Sequence, residues 1–430
     1  MSLTRRFVTG AIAALAVGAT ALTSLTARAD DTIKVGILHS LSGTMAISET
    51  TLKDVILMLI DEQNKKGGVL GKKLEAVVVD PASNWPLFAE KAKELIAQDK
   101  VSVVFGCWTS VSRKSVLPVF KELNSILFYP VQYEGEESER NVFYTGAAPN
   151  QQAIPAVDYL MSEDGGSVKR WVLEGTDYVY PRTTNKILEA YLKYKGVAPE
   201  DITINYTPFG FSDWQTEVTK IKAFGSAGKK TAVVSTINGD ANVPFYKELG
   251  NQGIKATDIP VMAFSVGEEE LAGLDTKPLV GHLAAWNYFE SIKTPENKAF
   301  IEEWHAFTKN PKRTTNDPME AHYIGFNMWV KAVEKAGTTD TDKVIAALPG
   351  TEQKNLTGGT ATMLPNHHIT KPVFIGEIRA DGQFDVVWQT KELVPGAAWS
   401  PYLEGSKDLV ADWVKLGCGN YNKVTKKCGG

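Results

Sequence analysis

Three short segments hold the side chains best suited to chemistry: 105–114 (FGCWTSVSRK), 128–135 (FYPVQYEG) and 175–182 (GTDYVYPR). Each follows an apolar run that reads as a buried strand, and strand ends in α/β domains are where ligand sites form. Trp108, Thr109, Ser110, Tyr129, Gln132, Tyr178 and Tyr180 supply aromatic faces, hydroxyls and an amide, with little clustered charge. That inventory suits a small, neutral, polar molecule. Ser110 lies near the start of a helix expected from Ser112, where free backbone N–H groups attract a carbonyl oxygen or an anion; N-capping by Ser110 or Ser112 is the competing use. Farther along, 236–240 ends another strand and offers Asp240 as an acceptor for ligand N–H groups, against the alternative of an Asx turn with Gly239. Ser265 and Glu268 follow the strand expected at 260–264 and are the weaker candidates, with Ser265 kept in the candidate set.

Catalytic and metal chemistry find less support. His367 and His368 are adjacent, and sequence neighbours rarely converge on one ion; the other four histidines lack ligand spacing. Cys107 has no histidine in a recognisable partner segment. No G-x-S-x-G elbow, phosphate loop or G-x-G-x-x-G fingerprint occurs. The expectation is therefore a binder with no catalytic residue, no metal and no cofactor.

The elements that must position these residues can be read from the same pattern. A chain of 430 residues with 43% hydrophobic content exceeds the size of one typical domain. Arg5 and Arg6 precede an apolar stretch reaching Leu25, followed by Ala27-Arg28-Ala29, so residues 1–29 read as a signal peptide cleaved near Ala29. The paired arginines leave general secretion and twin-arginine export both open. Losing that segment removes three arginines and no acid, taking the formal charge from −4 to −7 and making nucleic acid an improbable partner. In an oxidising compartment Cys418 and Cys428 read as a disulfide, with two free thiols as the alternative.

From residue 33 onward strands alternate with helices, which implies parallel sheets covered on both faces. Two such series in succession predict two lobes: 30–147 plus 284–350, and 148–283 plus 351–410, with a tail over 411–430. Asp381-Gly382 between two apolar runs predicts a hairpin.

The motifs at 106–110 with Arg113-Lys114, Tyr129-Pro130 with Tyr133-Glu134-Gly135, 177–182 and 238–240 carry a family resemblance. Over residues 30 to about 428 the chain resembles the substrate-binding proteins of ABC transporters of the branched-chain amino acid type, and among them most closely binders of urea and short-chain amides. The resemblance implies a two-lobed type I periplasmic binding protein fold with a hinged cleft, a periplasmic location, urea as ligand and a membrane ABC permease as partner. It also implies that Trp108, Ser110, Tyr129, Tyr178 and Tyr180 line the cleft. An amide-sensing relative has Tyr where Trp108 stands and Thr where Val131 stands, differences that fit another small amide. Binding of short-chain amides or small amino acids for transport or sensing stays open, as does amide hydrolysis through Cys107.

Overall fold

The computed structural model describes residues 32–429, so the expected signal peptide lies outside the described residues. Its first sheet holds five parallel strands, β1 (Ile33–Leu38), β2 (Leu74–Val79), β3 (Val103–Gly106), β4 (Leu127–Tyr129) and β5 (Val142–Tyr144), in the order β2-β1-β3-β4-β5. Helices α1 (Ala46–Lys65), α2 (Trp85–Lys93) and α3 (Ser110–Glu122) alternate with these strands. β3 and β4 are buried along their whole length, as strands covered by helices on both faces must be.

A second sheet contains β6 (Arg170–Thr176), β7 (Ile202–Thr207), β8 (Thr231–Thr236), β9 (Val261–Ala263) and β10 (Leu283–Trp286), all parallel, extended by the antiparallel hairpin Phe374–Ile378 and Phe384–Gln389. Its two faces bury separate clusters. Trp171 and Leu173 of β6 belong to one and Val172 to the other, following the two-residue period of a strand. The two-lobed α/β architecture thus matches the sequence expectation.

The lobe boundaries differ from those expected. The sequence pattern predicts a return into the first lobe at residues 284–286, but β10 is held in the second sheet between β9 and the hairpin. The crossing follows at Asn287 and Tyr288, where Tyr288 enters the first core with Phe300, Trp304 and Trp329. The sequence pattern places 351–410 in the second lobe, yet within it Leu356, Ala361, Met363 and Ile369 are buried in that same first core. Short apolar segments carry no address in their own sequence; the face left open by the helix Asp317–Ala336 decides where they pack.

The chain passes between the lobes near 145–151, at Asn287, at Lys371–Pro372 and again between Gln389 and Ala398, where the Glu136 N–H donates to the Ala398 carbonyl. Asn287 ties the first three together: its Nδ2 donates to the carbonyls of Gln151 at 2.9 Å and Pro372 at 2.6 Å, and its backbone N–H donates to Asp317 Oδ2 at 2.8 Å. The tail folds into a small antiparallel sheet, Leu409–Asp412, Cys418–Asn422 and Lys427–Cys428, with Cys418 and Cys428 bonded.

Candidate ligand site between the lobes

In the first sheet the strand order reverses between β1 and β3, the place where open α/β sheets form a crevice. The two strands approach closely at Gly106, where an added Cβ would lie 2.3 Å from the Leu38 carbonyl oxygen. The next residue, Cys107, turns the chain with φ +65°, a left-handed conformation uncommon for a side-chain-bearing residue, and this turn presents Trp108. Burial pushes the Cys107 thiol far up, and the nearby Glu49 adds to the effect, so the thiolate that a nucleophile needs is disfavoured.

Contacts from this edge reach the second lobe. Trp108 Nε1 donates to Asn238 Oδ1 at 3.1 Å, Gln132 Nε2 donates to Ser265 Oγ at 2.6 Å, and the Asp240 backbone N–H donates to the Thr44 carbonyl at 3.2 Å. Tyr178 is half-buried, with its ring 4.8 Å from Phe209 and 6.1 Å from Tyr180, and Phe209 in turn lies 5.2 Å from Trp85 of the first lobe. The lobes are thus apposed along the edge that carries most of the expected residues.

Thr109 is the helix cap: its Oγ accepts from the Ser112 N–H at 3.1 Å. Neither Ser110 nor Ser112 fills that position. Ser110 donates instead to Glu134 Oε2 and accepts from Arg113 Nη1 at 3.2 Å. Arg113, fully buried, donates to Glu134 Oε1 at 3.1 Å and through Nε to Glu137 Oε1 at 2.8 Å. Its guanidinium lies over the Tyr129 and Tyr133 rings at 4.6 and 4.7 Å, and Lys114 completes the cluster on Glu137 at 2.6 Å. Burial pushes the Glu137 carboxyl up, but Arg113 and Lys114 outweigh it and hold it down at about 2.

The hydrogen-bond inventory gives this site a polarity. The Ser110 hydrogen is committed to Glu134 and one of its lone pairs to Arg113, so what remains is an acceptor. Tyr129 donates its hydrogen to the Trp108 carbonyl, again leaving lone pairs. Gln132 Oε1 is buried with no partner among the described residues, as is the Tyr180 hydroxyl, which lies beside Gln132 and Ser265. Burial raises the phenols of Tyr129, Tyr178 and Tyr180, and the Glu134 charge adds to that rise in all three, so they stay protonated. Glu134 is the charge that acts on all three, while Arg113 opposes it at Tyr129 and Tyr178.

Asp240, expected as the ligand's acceptor, is not part of this group. Gly239 turns with φ +69°, the Asp240 amide engages Thr44, and the carboxylate is left exposed. From that loop it is Asn238 that reaches inward, its Nδ2 fixed on the Thr236 carbonyl at 3.0 Å so that Oδ1 faces Trp108. Glu134 and Asn238 both lie inside motifs visible in the sequence. The signal that could have ranked Glu134 is its position two residues after Gln132, at the mouth of the same strand. His367 stacks on Phe143 at 4.2 Å while His368 contacts the Tyr133 hydroxyl, so the pair serves two separate packing roles. No group of metal-ligating side chains occurs among the described residues.

Comparison with known proteins agrees with this geometry at the level of fold and family. A family model described as a periplasmic binding protein domain matches residues 33–405. The Leu/Ile/Val-binding protein homolog 6 of Brucella melitensis is 25% identical over 88% of this chain and 96% of its own. The leucine-, isoleucine-, valine-, threonine- and alanine-binding protein of Pseudomonas aeruginosa is 24% identical over 80% of this chain and 89% of its own. Among solved structures, an ABC transporter solute-binding protein of Rhodopseudomonas palustris in complex with 4-hydroxybenzoate superposes with a TM-score of 0.73 at 22% identity, covering 85% of this chain and 98% of that one. With a matching two-lobed fold and a model match over most of its length, the chain belongs to the periplasmic binding protein family.

Proposed function

We propose that this chain captures urea between its lobes and delivers it, in the periplasm, to a membrane ABC permease. The observation that carries the reading is the direction of the hydrogen bonds around Ser110. With its hydrogen on Glu134, Ser110 offers lone pairs, and Glu134, Tyr129 and Gln132 Oε1 add more acceptors. Urea presents four N–H hydrogens and one carbonyl oxygen on a flat frame, matching a site rich in acceptors with a few donors such as the Tyr180 hydroxyl and flat aromatic walls. A carboxylate meets the opposite polarity. The one arginine of the cluster, Arg113, is already engaged by two glutamates, so an amino acid or a benzoate finds Glu134 where it needs a donor. The names of the relatives point to branched-chain amino acids, and for that reason the alternative is built into the test.

Urea's four heavy atoms, at a ceiling of about −1.5 kcal/mol each, allow about −6 kcal/mol, a dissociation constant in the tens of micromolar. Isothermal titration of residues 30–430 with urea, acetamide, leucine and 4-hydroxybenzoate is expected to show saturable binding with urea tightest. If leucine or 4-hydroxybenzoate binds more tightly, the choice of ligand is wrong while the transport role stands.

Two substitutions locate the site. Trp108→Ala removes an indole that spans both lobes and is expected to weaken urea binding at least tenfold, about 1.4 kcal/mol. Asp240→Ala, whose carboxylate is exposed, is expected to leave the affinity unchanged. The reverse ranking in the same titration would move the site to the Asn238–Asp240 loop.

A further inference from the structure

The C-terminal sheet is docked on the first lobe and is otherwise exposed. At the contact Trp413 Nε1 donates to Ser138 Oγ at 3.0 Å, the Trp413 N–H donates to the Pro365 carbonyl at 3.0 Å, and Gly419 packs so closely that an added Cβ would lie 2.1 Å from the Ser138 carbonyl oxygen. Elsewhere on the same module Val414, Leu416 and Val424 are exposed by 62%, 37% and 70%. They are three of the nine large hydrophobic side chains exposed among the described residues, and they fall within 414–424. Lys415, Lys423, Lys426 and Lys427 are exposed beside them, and no Asp or Glu follows Asp412.

The charge distribution is correspondingly uneven. The whole sequence carries −4, of which residues 1–29 hold +3 and residues 413–430 hold +4, so the segment between them carries −11. A basic module with exposed aliphatic side chains stands on an acidic body. We propose that this module is a docking surface for an anionic lipid bilayer. Lysine ammonium groups pair with headgroup phosphates while small apolar side chains enter the boundary between headgroups and acyl chains. Val414 and Val424 sit in the turns at 413–417 and 423–426, at opposite ends of the strand Cys418–Asn422, each beside lysines, so a bilayer meets both along the length of the sheet; an acidic protein surface would engage the lysines and leave the aliphatic side chains in water. The Cys418–Cys428 bond holds both turns in one unit, so little ordering is needed on contact. The acidic body is repelled by the same surface, which fixes which end approaches.

Co-sedimentation of residues 30–430 with vesicles tests the proposal, using phosphatidylglycerol mixed with phosphatidylcholine against phosphatidylcholine alone. The native protein is expected to bind the anionic vesicles and to release as salt is raised. At roughly fivefold per lysine, replacing Lys415, Lys423, Lys426 and Lys427 by Gln should weaken binding by about a hundredfold or more. Val414→Ser with Val424→Ser should weaken it severalfold, and thermal unfolding should be unchanged in both variants, which reports that they fold. Failure of the native protein to sediment with anionic vesicles, or equal sedimentation in the four-lysine variant, overturns the proposal. Binding to immobilised polyglutamate without binding to vesicles overturns it in favour of an acidic protein partner. None of these outcomes depends on which solute the cleft holds.

Discussion

Replacing Arg113 with alanine is expected to destabilise the protein by about 3–5 kcal/mol, the range for removing one partner from a buried ion pair. The guanidinium is fully buried, bridges Glu134 and Glu137, and fills the space between the Tyr129 and Tyr133 rings. Its loss leaves two buried carboxylates short of a counter-charge, with Lys114 still on Glu137. The native arrangement also has a definite pH signature. Glu137 is held at about 2 against an ordinary value of 4.5, so its folded pKa is depressed. Its stabilisation is fully present above pH 4.5 and is lost as pH falls towards 2, on the order of 3 kcal/mol in all. In Arg113→Ala burial acts on Glu137 with less opposition, so its folded value rises and the variant should gain relative stability on mild acidification. Thermal unfolding at neutral and mildly acid pH checks both points. Arg113→Met, which restores bulk between the rings without charge, separates packing from electrostatics. Unfolding curves for Arg113→Ala that match the native ones at both pH values would show that the cluster does not hold the fold.

Glu134→Gln is expected to weaken urea binding about thirtyfold, some 2 kcal/mol, within the range for a hydrogen bond to a charged group. The carboxylate fixes the Ser110 hydroxyl as an acceptor and adds acceptor capacity of its own. An amide in its place can donate as well as accept, so Ser110 is no longer committed to one direction. The same variant should narrow the gap between urea and a monoanion such as acetate, because the charge that repels a carboxylate is gone. Isothermal titration of native protein, Glu134→Gln and Ser110→Ala with both solutes reads the two effects together. A urea affinity within threefold of native in both variants would remove this pair from the site, even if urea proved to be the ligand.

Much of this protein was legible in its sequence because the signals are local. Strand and helix periods, Gly and Asp-Gly turns and the apolar runs of β1, β3 and β8 announced two α/β series, since each element's own residues determine its period. The same locality placed Trp108, Gln132, Tyr180 and Ser265 at strand ends. What the sequence did not determine was partnership between distant segments. Residues 284–286 and 351–369 carry ordinary strand-like patterns, and only the open faces of the sheets and of the helix Asp317–Ala336 assigned them to their lobes. Asp240 and Glu134 show the same division at the scale of one side chain. Each is a carboxylate just beyond a strand, equivalent by type and position. A left-handed turn at Gly239 leaves the first exposed, while Arg113, reaching across from α3, holds the second inside. Burying a charge requires a counter-charge at a fixed distance, and that distance exists only once the chain has folded.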